Sequence, residues 1–205
     1  MALVAEPPTR RERRRLAVRE RILEAALWLF ENQGYEATTV TEIAQRADIA
    51  YGTLFNHFPS KLQLLRELSD RSLQDVFERV EEVRKQPHCF GDRLVALFDS
   101  SAQKAEEKGP RMRKLFGTMM VLALPETAGS DERRIRLAFR QVLEDGLAAG
   151  ELREGVDLDT LCEIVVGTWY SIFRSWVHFD DYPLRERASQ AGRFLARTLT
   201  STRES

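Results

Sequence analysis

The chain has little of what an extracellular, membrane-spanning or metal-bound protein needs. Two cysteines, Cys89 and Cys162, stand far apart in 205 residues. So sparse a pair fits reduced thiols and excludes a disulfide scaffold. The longest uncharged run, Leu115 to Pro125, is too short to cross a bilayer. Residues 1–6 offer neither a positive flank nor an apolar core, so no signal peptide is expected and the expected location is cytoplasmic. There are three histidines (57, 88 and 178) and no glycine-rich phosphate loop. His88-Cys89 lacks a second ligand pair at zinc spacing, so no metal is expected. Asp180-Asp181 beside His178 reads as a helix end with charged loop residues rather than as acid–base machinery. The chain is therefore expected not to be an enzyme and to carry no cofactor. A net charge of −1 excludes a globally basic polyanion binder, and any contact with nucleic acid must be local.

What is present is apolar enough to fold. A hydrophobic fraction of 43% beside 31% charged residues suits a soluble helical protein of one or two domains and argues against disorder. The most informative stretch is residues 39–61. Thr39 and Glu42 have capping-box spacing, so a helix is expected to open at Val40. Ile43, Ala44 and Ala47 fall on one face of it. Asp48-Ile49-Ala50 then breaks the pattern, with Asp able to take the left-handed backbone of a tight turn. Leu54 and Phe58 lie on the inner face of a second short helix. Ser60 and Gln63 open another helix at Lys61 after the Pro59 break. This is a helix-turn-helix pattern, in which the second helix enters the major groove. Its outward residues, Tyr51, Gly52, Thr53, Asn56 and His57, include no carboxylate that would repel phosphate.

These residues resemble the DNA-binding domain of the tetracycline-repressor (TetR) family of bacterial transcriptional regulators. Thr39, Ile43, Ala44, Ala47, Gly52, Thr53, His57, Phe58 and Lys61 stand at the positions of that family's pattern, and the resemblance covers about residues 18–65. Three positions depart from it: Asp48 replaces the usual Gly, Ala50 the usual Ser and Phe55 the usual Tyr. Ala50 removes a side-chain cap from the second helix, and Phe55 removes a phenol that could meet phosphate. The resemblance implies an all-α protein, with an N-terminal three-helix DNA-binding domain and a C-terminal helical ligand-binding and dimerisation domain. It also implies a homodimer that reads a pseudo-palindromic operator in double-stranded DNA and is released by a small apolar or amphipathic effector. The other reading of a helix-turn-helix chain is an architectural or protein-binding protein without an effector.

The expected layout is a disordered lead over 1–8, a DNA-binding domain over 9–62 and the effector and dimerisation domain over 63–205. Residues 9–21 hold seven arginines against Glu12 and Glu20, a local balance of +5. They read either as a solvated helix start or as an arm for phosphates or the minor groove, with Arg10, Arg11, Arg13 and Arg14 as its contacts. The first helix is expected over about 16–32, stopped by Gly34. Tyr51, Thr53, Asn56 and His57 are the expected base or near-base contacts, with Asn56 best suited to adenine. Thr39, Thr41 and Lys61 are assigned to phosphate positioning. Long helices are expected over about 61–85, 92–108, 132–149, 158–178 and 183–199, with 125–131 as a loop. The resemblance places the effector site near Phe98, Phe116, Met119 and Trp169. It places a dimer interface on the two helices at 132–149 and 158–178, with Ile135, Phe139, Val142, Leu161, Val165 and Ile172.

Overall fold

The computed structural model describes residues 9–122, 124–153, 155 and 157–200, and for 124–133 the backbone alone. The expected lead over 1–8 lies outside the described residues. Among them are nine helices: α1 (Arg10–Gln33), α2 (Val40–Arg46), α3 (Tyr51–His57), α4 (Lys61–Arg84), α5 (Phe90–Glu107), α6 (Gly109–Leu122), α7 (Leu124–Ala148), α8 (Leu158–His178) and α9 (Leu184–Leu199). An isolated antiparallel bridge joins Leu152 to Thr200. The fold is all-α, as expected. Two compact units meet between Leu68 and Ser69, a boundary that falls inside α4.

The N-terminal unit is specified largely by local signals. Thr9 caps α1, accepting from the Glu12 N–H while the Glu12 carboxylate accepts from the Thr9 N–H at 2.7 Å. This reciprocal cap starts α1 six residues earlier than the apolar stripe suggested, so the arginine run is helix from its first member. Gly34, at φ 89°, ends α1 with its N–H on the Phe30 carbonyl. Thr39 and Glu42 repeat the capping box at the expected start of α2. Ile22, Leu23, Ile43, Leu54 and Phe58 are fully buried. At roughly 1.5–3 kcal/mol for each large buried side chain, they hold α1, α2 and α3 together.

The C-terminal unit is held by long-range packing instead. α5 lies close against α9, where a Cβ on Gly192 would sit 3.2 Å from the Val95 backbone and the Phe98 side chain. α7 packs on α8, and Gly146 of α7 lies so close to Phe90 that a Cβ would overlap its ring. Arg84 grips Asp145 through two bonds, at 2.7 and 3.1 Å. That fork holds the Asp145 carboxyl below its usual range. Among the described residues no helix is long and apolar enough to cross a membrane.

Two expectations about this unit are corrected. The segment 125–131, expected as a loop, is the start of α7. Pro125 falls in the first turn, where its missing N–H would have no intrahelical acceptor in any case. Ile135, Phe139, Val142, Leu161, Val165 and Ile172, expected at a dimer interface, are buried in the protomer's own core. The wide apolar surface of α8 is covered by this chain's other helices. What α7 and α8 leave exposed is a narrower face bearing Leu137, Ile164, Gly167 and Ser171.

Candidate DNA interface and effector cavity

The turn between α2 and α3 closes as a Schellman motif. Asp48 takes the left-handed conformation at φ 52°, and its N–H bonds the Gln45 carbonyl at 3.1 Å. The Ile49 N–H reaches the Ala44 carbonyl at 3.1 Å. Arg21 of α1 then donates to the carbonyls of Ala47 and Asp48, at 2.8 and 3.0 Å. Ala50 begins α3 with no side-chain cap, the consequence expected of the missing Ser.

α3 buries Leu54 completely and turns the rest of its surface outward. Tyr51, Gly52, Phe55 and Asn56 are exposed, while Thr53 and His57 are half-buried. Tyr51 leans on Phe55 with ring centroids 4.7 Å apart. A Cβ on Gly52 would meet nothing within 4 Å, and its backbone is ordinary helix, so no neighbour within the chain requires a glycine there. Burial, reinforced by the charges of Arg15 and Arg19, pushes the His57 imidazole below its ordinary pKa. The face is therefore uncharged at pH 7 and rich in groups that donate and accept hydrogen bonds.

The arginines around it divide into two sets. Arg19 and Arg21 are structural: Arg19 pairs with Glu67 at 2.7 Å, lies 4.3 Å from the Phe58 ring and donates to the His57 carbonyl. Arg10, Arg11, Arg13, Arg14 and Arg15 are exposed and form no ion pair among the described residues. Arg15 was not among the expected contacts, yet its charge is felt at His57. The signal was the four-residue step to Arg19, which places both on the side of α1 that meets α3.

Two assigned phosphate contacts are otherwise engaged. Lys61 donates to the carbonyls of Tyr35, Glu36 and Thr38, at 2.7, 3.3 and 3.0 Å, and its ammonium sits 4.3 Å from the Tyr35 ring. All three of its N–H donors serve to close the segment after α1. The Thr39 hydroxyl is bonded within its capping box. Thr41 is exposed on α2.

In the C-terminal unit a cavity of about 90 Å³ lies among α4, α5, α6, α7 and α8. Phe116, Met119 and Trp169 line it, as expected, together with Leu73, Ile135 and Phe173. Phe98 does not line it; its side chain is fully buried against α9 at Gly192. Two buried polar atoms on the wall, Ser101 Oγ and Trp169 Nε1, have no hydrogen-bond partner. At the rim stand Arg79, Lys104 and Lys108 with Asp75. Among the described residues no cluster of three metal-ligating side chains occurs.

Residues 22–68 match the family described as "Bacterial regulatory proteins, tetR family". The chain is 45% identical over 160 residues to the HTH-type transcriptional repressor KstR of Rhodococcus jostii, covering 78% of this chain and 72% of that protein. The chain belongs to the TetR family. It is a DNA-binding transcriptional regulator, and its relatives are regulators rather than enzymes. The fold of this TetR-family regulator is similar to that of SmeT, the repressor of the Stenotrophomonas maltophilia multidrug efflux pump SmeDEF, in its complex with triclosan. That match has a TM-score of 0.75 at 22% identity, over 91% of this chain and 93% of SmeT. It is also similar to the transcriptional regulator FadR from Bacillus subtilis in complex with stearoyl-CoA. Here the TM-score is 0.70 at 21% identity, over 86% and 97% of the two chains.

Proposed function

We propose that this regulator is a repressor that binds a pseudo-palindromic operator as a homodimer and is released by a small effector taken into the cavity of its C-terminal unit. The observation that carries the DNA side is the outward face of α3. Tyr51, Asn56 and Gly52 stand exposed and uncharged, and nothing in the chain accounts for the glycine. A missing Cβ at the opening of a recognition helix admits a close approach from outside. Asn56 is the adenine reader, through N6 and N7. Tyr51, Thr53 and His57 flank it, and Arg10, Arg11, Arg13, Arg14 and Arg15 supply the phosphate charge, with Thr41 at the start of α2. Support for a dimer is the exposed face of Leu137, Ile164, Gly167 and Ser171 on two long helices of one unit. Support for an effector is the cavity and its unpaired polar atoms, together with similar regulators whose structures hold triclosan and stearoyl-CoA.

The deciding experiment is selection of bound sequences from a random duplex pool, followed by a salt titration on the winner. The expected result is a pseudo-palindrome whose half-sites lie about one helical turn apart, roughly 34–36 Å. If no sequence is enriched, the architectural or protein-binding reading replaces this one. Ile164→Arg is expected to yield monomers in sedimentation and to lose the full site; a dimer of unchanged strength would move the interface elsewhere.

A further inference from the structure

Accepting that the cavity is an effector site, its wall and rim specify the chemistry of the effector more narrowly. The interior is apolar and partly aromatic: Phe116, Met119, Ile135 and Phe173. Into this wall the fold places two polar atoms that nothing satisfies, Trp169 Nε1 and Ser101 Oγ. Trp169 is 3% exposed and Ser101 7%, so bulk water does not serve them. An indole N–H can only donate, and a hydroxyl can donate as well. Buried donors without partners carry a desolvation cost that is removed when an acceptor arrives.

The rim adds a sign. α4 contributes Asp75 and Arg79, one turn apart, and the C-terminal end of α5 contributes Lys104 and, as its capping residue, Lys108. Asp75 is bound to Lys108 at 2.8 Å, and Lys104 approaches Glu107 only at 3.9 Å. Arg79 forms no ion pair among the described residues. Three cations stand against one rim carboxylate, which Lys108 already holds. A cationic ligand would meet repulsion at this mouth, whereas an anion would find Arg79 unengaged.

We infer that the effector is an amphipathic anion. Its apolar body lies along Phe116, Met119 and Phe173, an acceptor on it takes the Trp169 N–H and the Ser101 hydroxyl, and its charged end rests at Arg79, Lys104 and Lys108. A free carboxylate and the phosphates of an acyl thioester share that chemistry.

The test titrates the full chain with laurate, lauroyl-CoA, dodecanol and dodecyltrimethylammonium by calorimetry and tryptophan quenching. Laurate or lauroyl-CoA is expected to bind at one per chain, roughly tenfold or more tighter than dodecanol, with an affinity that falls as salt is added. Whichever anion wins assigns the rim to a carboxylate or to phosphates. Arg79→Gln is expected to bring the anion down to the level of dodecanol and leave dodecanol unchanged. Trp169→Phe, which keeps the ring and removes the N–H, should weaken the anion by about fivefold. Equal binding of the ammonium amphiphile, no difference between laurate and dodecanol, or no saturable binding by any of the four overturns the inference. Release of the selected operator is read separately. An anion that binds without weakening DNA affinity upholds the ligand class and removes the effector role. Release by dodecanol or the ammonium amphiphile alone keeps the effector role and removes the anion.

Discussion

The two units solve the placement of polar groups in opposite ways. In the N-terminal unit the polar side chains that shape the fold are engaged: two capping boxes, Arg21 on the turn carbonyls, Lys61 on three more, and Arg19 on Glu67. In the C-terminal unit Ser101 and Trp169 are buried with polar atoms unmatched, beside a cavity. A unit whose turns and helix starts are tied down by specific hydrogen bonds has a well-determined shape, which a surface that must match a groove requires. A unit with vacancies keeps stability in reserve for a ligand, and a ligand that favours one state supplies the coupling, typically about 1–3 kcal/mol.

Phe58→Ala should act most strongly, removing a fully buried ring at a cost of about 3–5 kcal/mol. Calorimetry should then show the N-terminal unit melting first, with DNA binding lost and the cavity still able to bind. A single transition for the whole chain would mean that the two units do not differ in this way. Lys61→Met should cost the N-terminal unit about 1–3 kcal/mol, because three carbonyls lose their charged donor. The salt dependence of DNA binding should stay as it was; a slope smaller by about one unit would return Lys61 to a phosphate.

Gly192→Ala tests the other unit. A new methyl 3.2 Å from the Val95 backbone should cost about 1–3 kcal/mol of stability and leave DNA specificity alone. Asn56→Ala should leave both melting transitions in place and lose about 1–3 kcal/mol on the selected operator only. Equal loss on random DNA would remove its reading role. The smallest effect belongs to His57. Its pKa is held below 6.5, so its contribution to folding is complete above that pH and declines as pH falls through the lowered value. DNA phosphate favours the imidazolium, so operator affinity should rise over the same acidic window, by up to about tenfold for each pKa unit regained. His57→Asn should flatten that rise; an unchanged profile would place the titrating group elsewhere.

Much of the N-terminal unit was legible because its instructions are short-range. Thr39 with Glu42, Gly34 after α1 and Asp48 in the turn each act within about four residues, and each appears in the structure as read. The start of α1 is equally local, but the Thr9–Glu12 cap opens a run of arginines that carries no apolar stripe, so periodicity begins only at about residue 16. The role of Lys61 needed the tertiary fold, since its three acceptors lie more than twenty positions away. In the C-terminal unit, periodicity located α5, α8, α9 and the later part of α7 but neither α6 nor the first turns of α7, and it could not say what covers each face. The apolar breadth of α8 suggests a partner, but α6, α7 and α9 supply the cover, and Phe98 faces Gly192 rather than the cavity. Three cavity residues were found because they sit on α6 and on the inner side of α8, where aromatic and thioether side chains concentrate.

The turn ahead of α3 has a consequence for engineering. Its geometry is fixed by Asp48, by backbone bonds to Ala44 and Gln45, and by the guanidinium of Arg21, and α3 contributes no side chain to its own cap. Positions 51, 52, 55 and 56 are thus free of architectural duty, and new side chains grafted there can rewrite operator choice on an unaltered frame. The same frame depends on a guanidinium at 21 and, at 48, on a residue that accepts the left-handed backbone, so the vocabulary of this regulator is editable while its grammar is not.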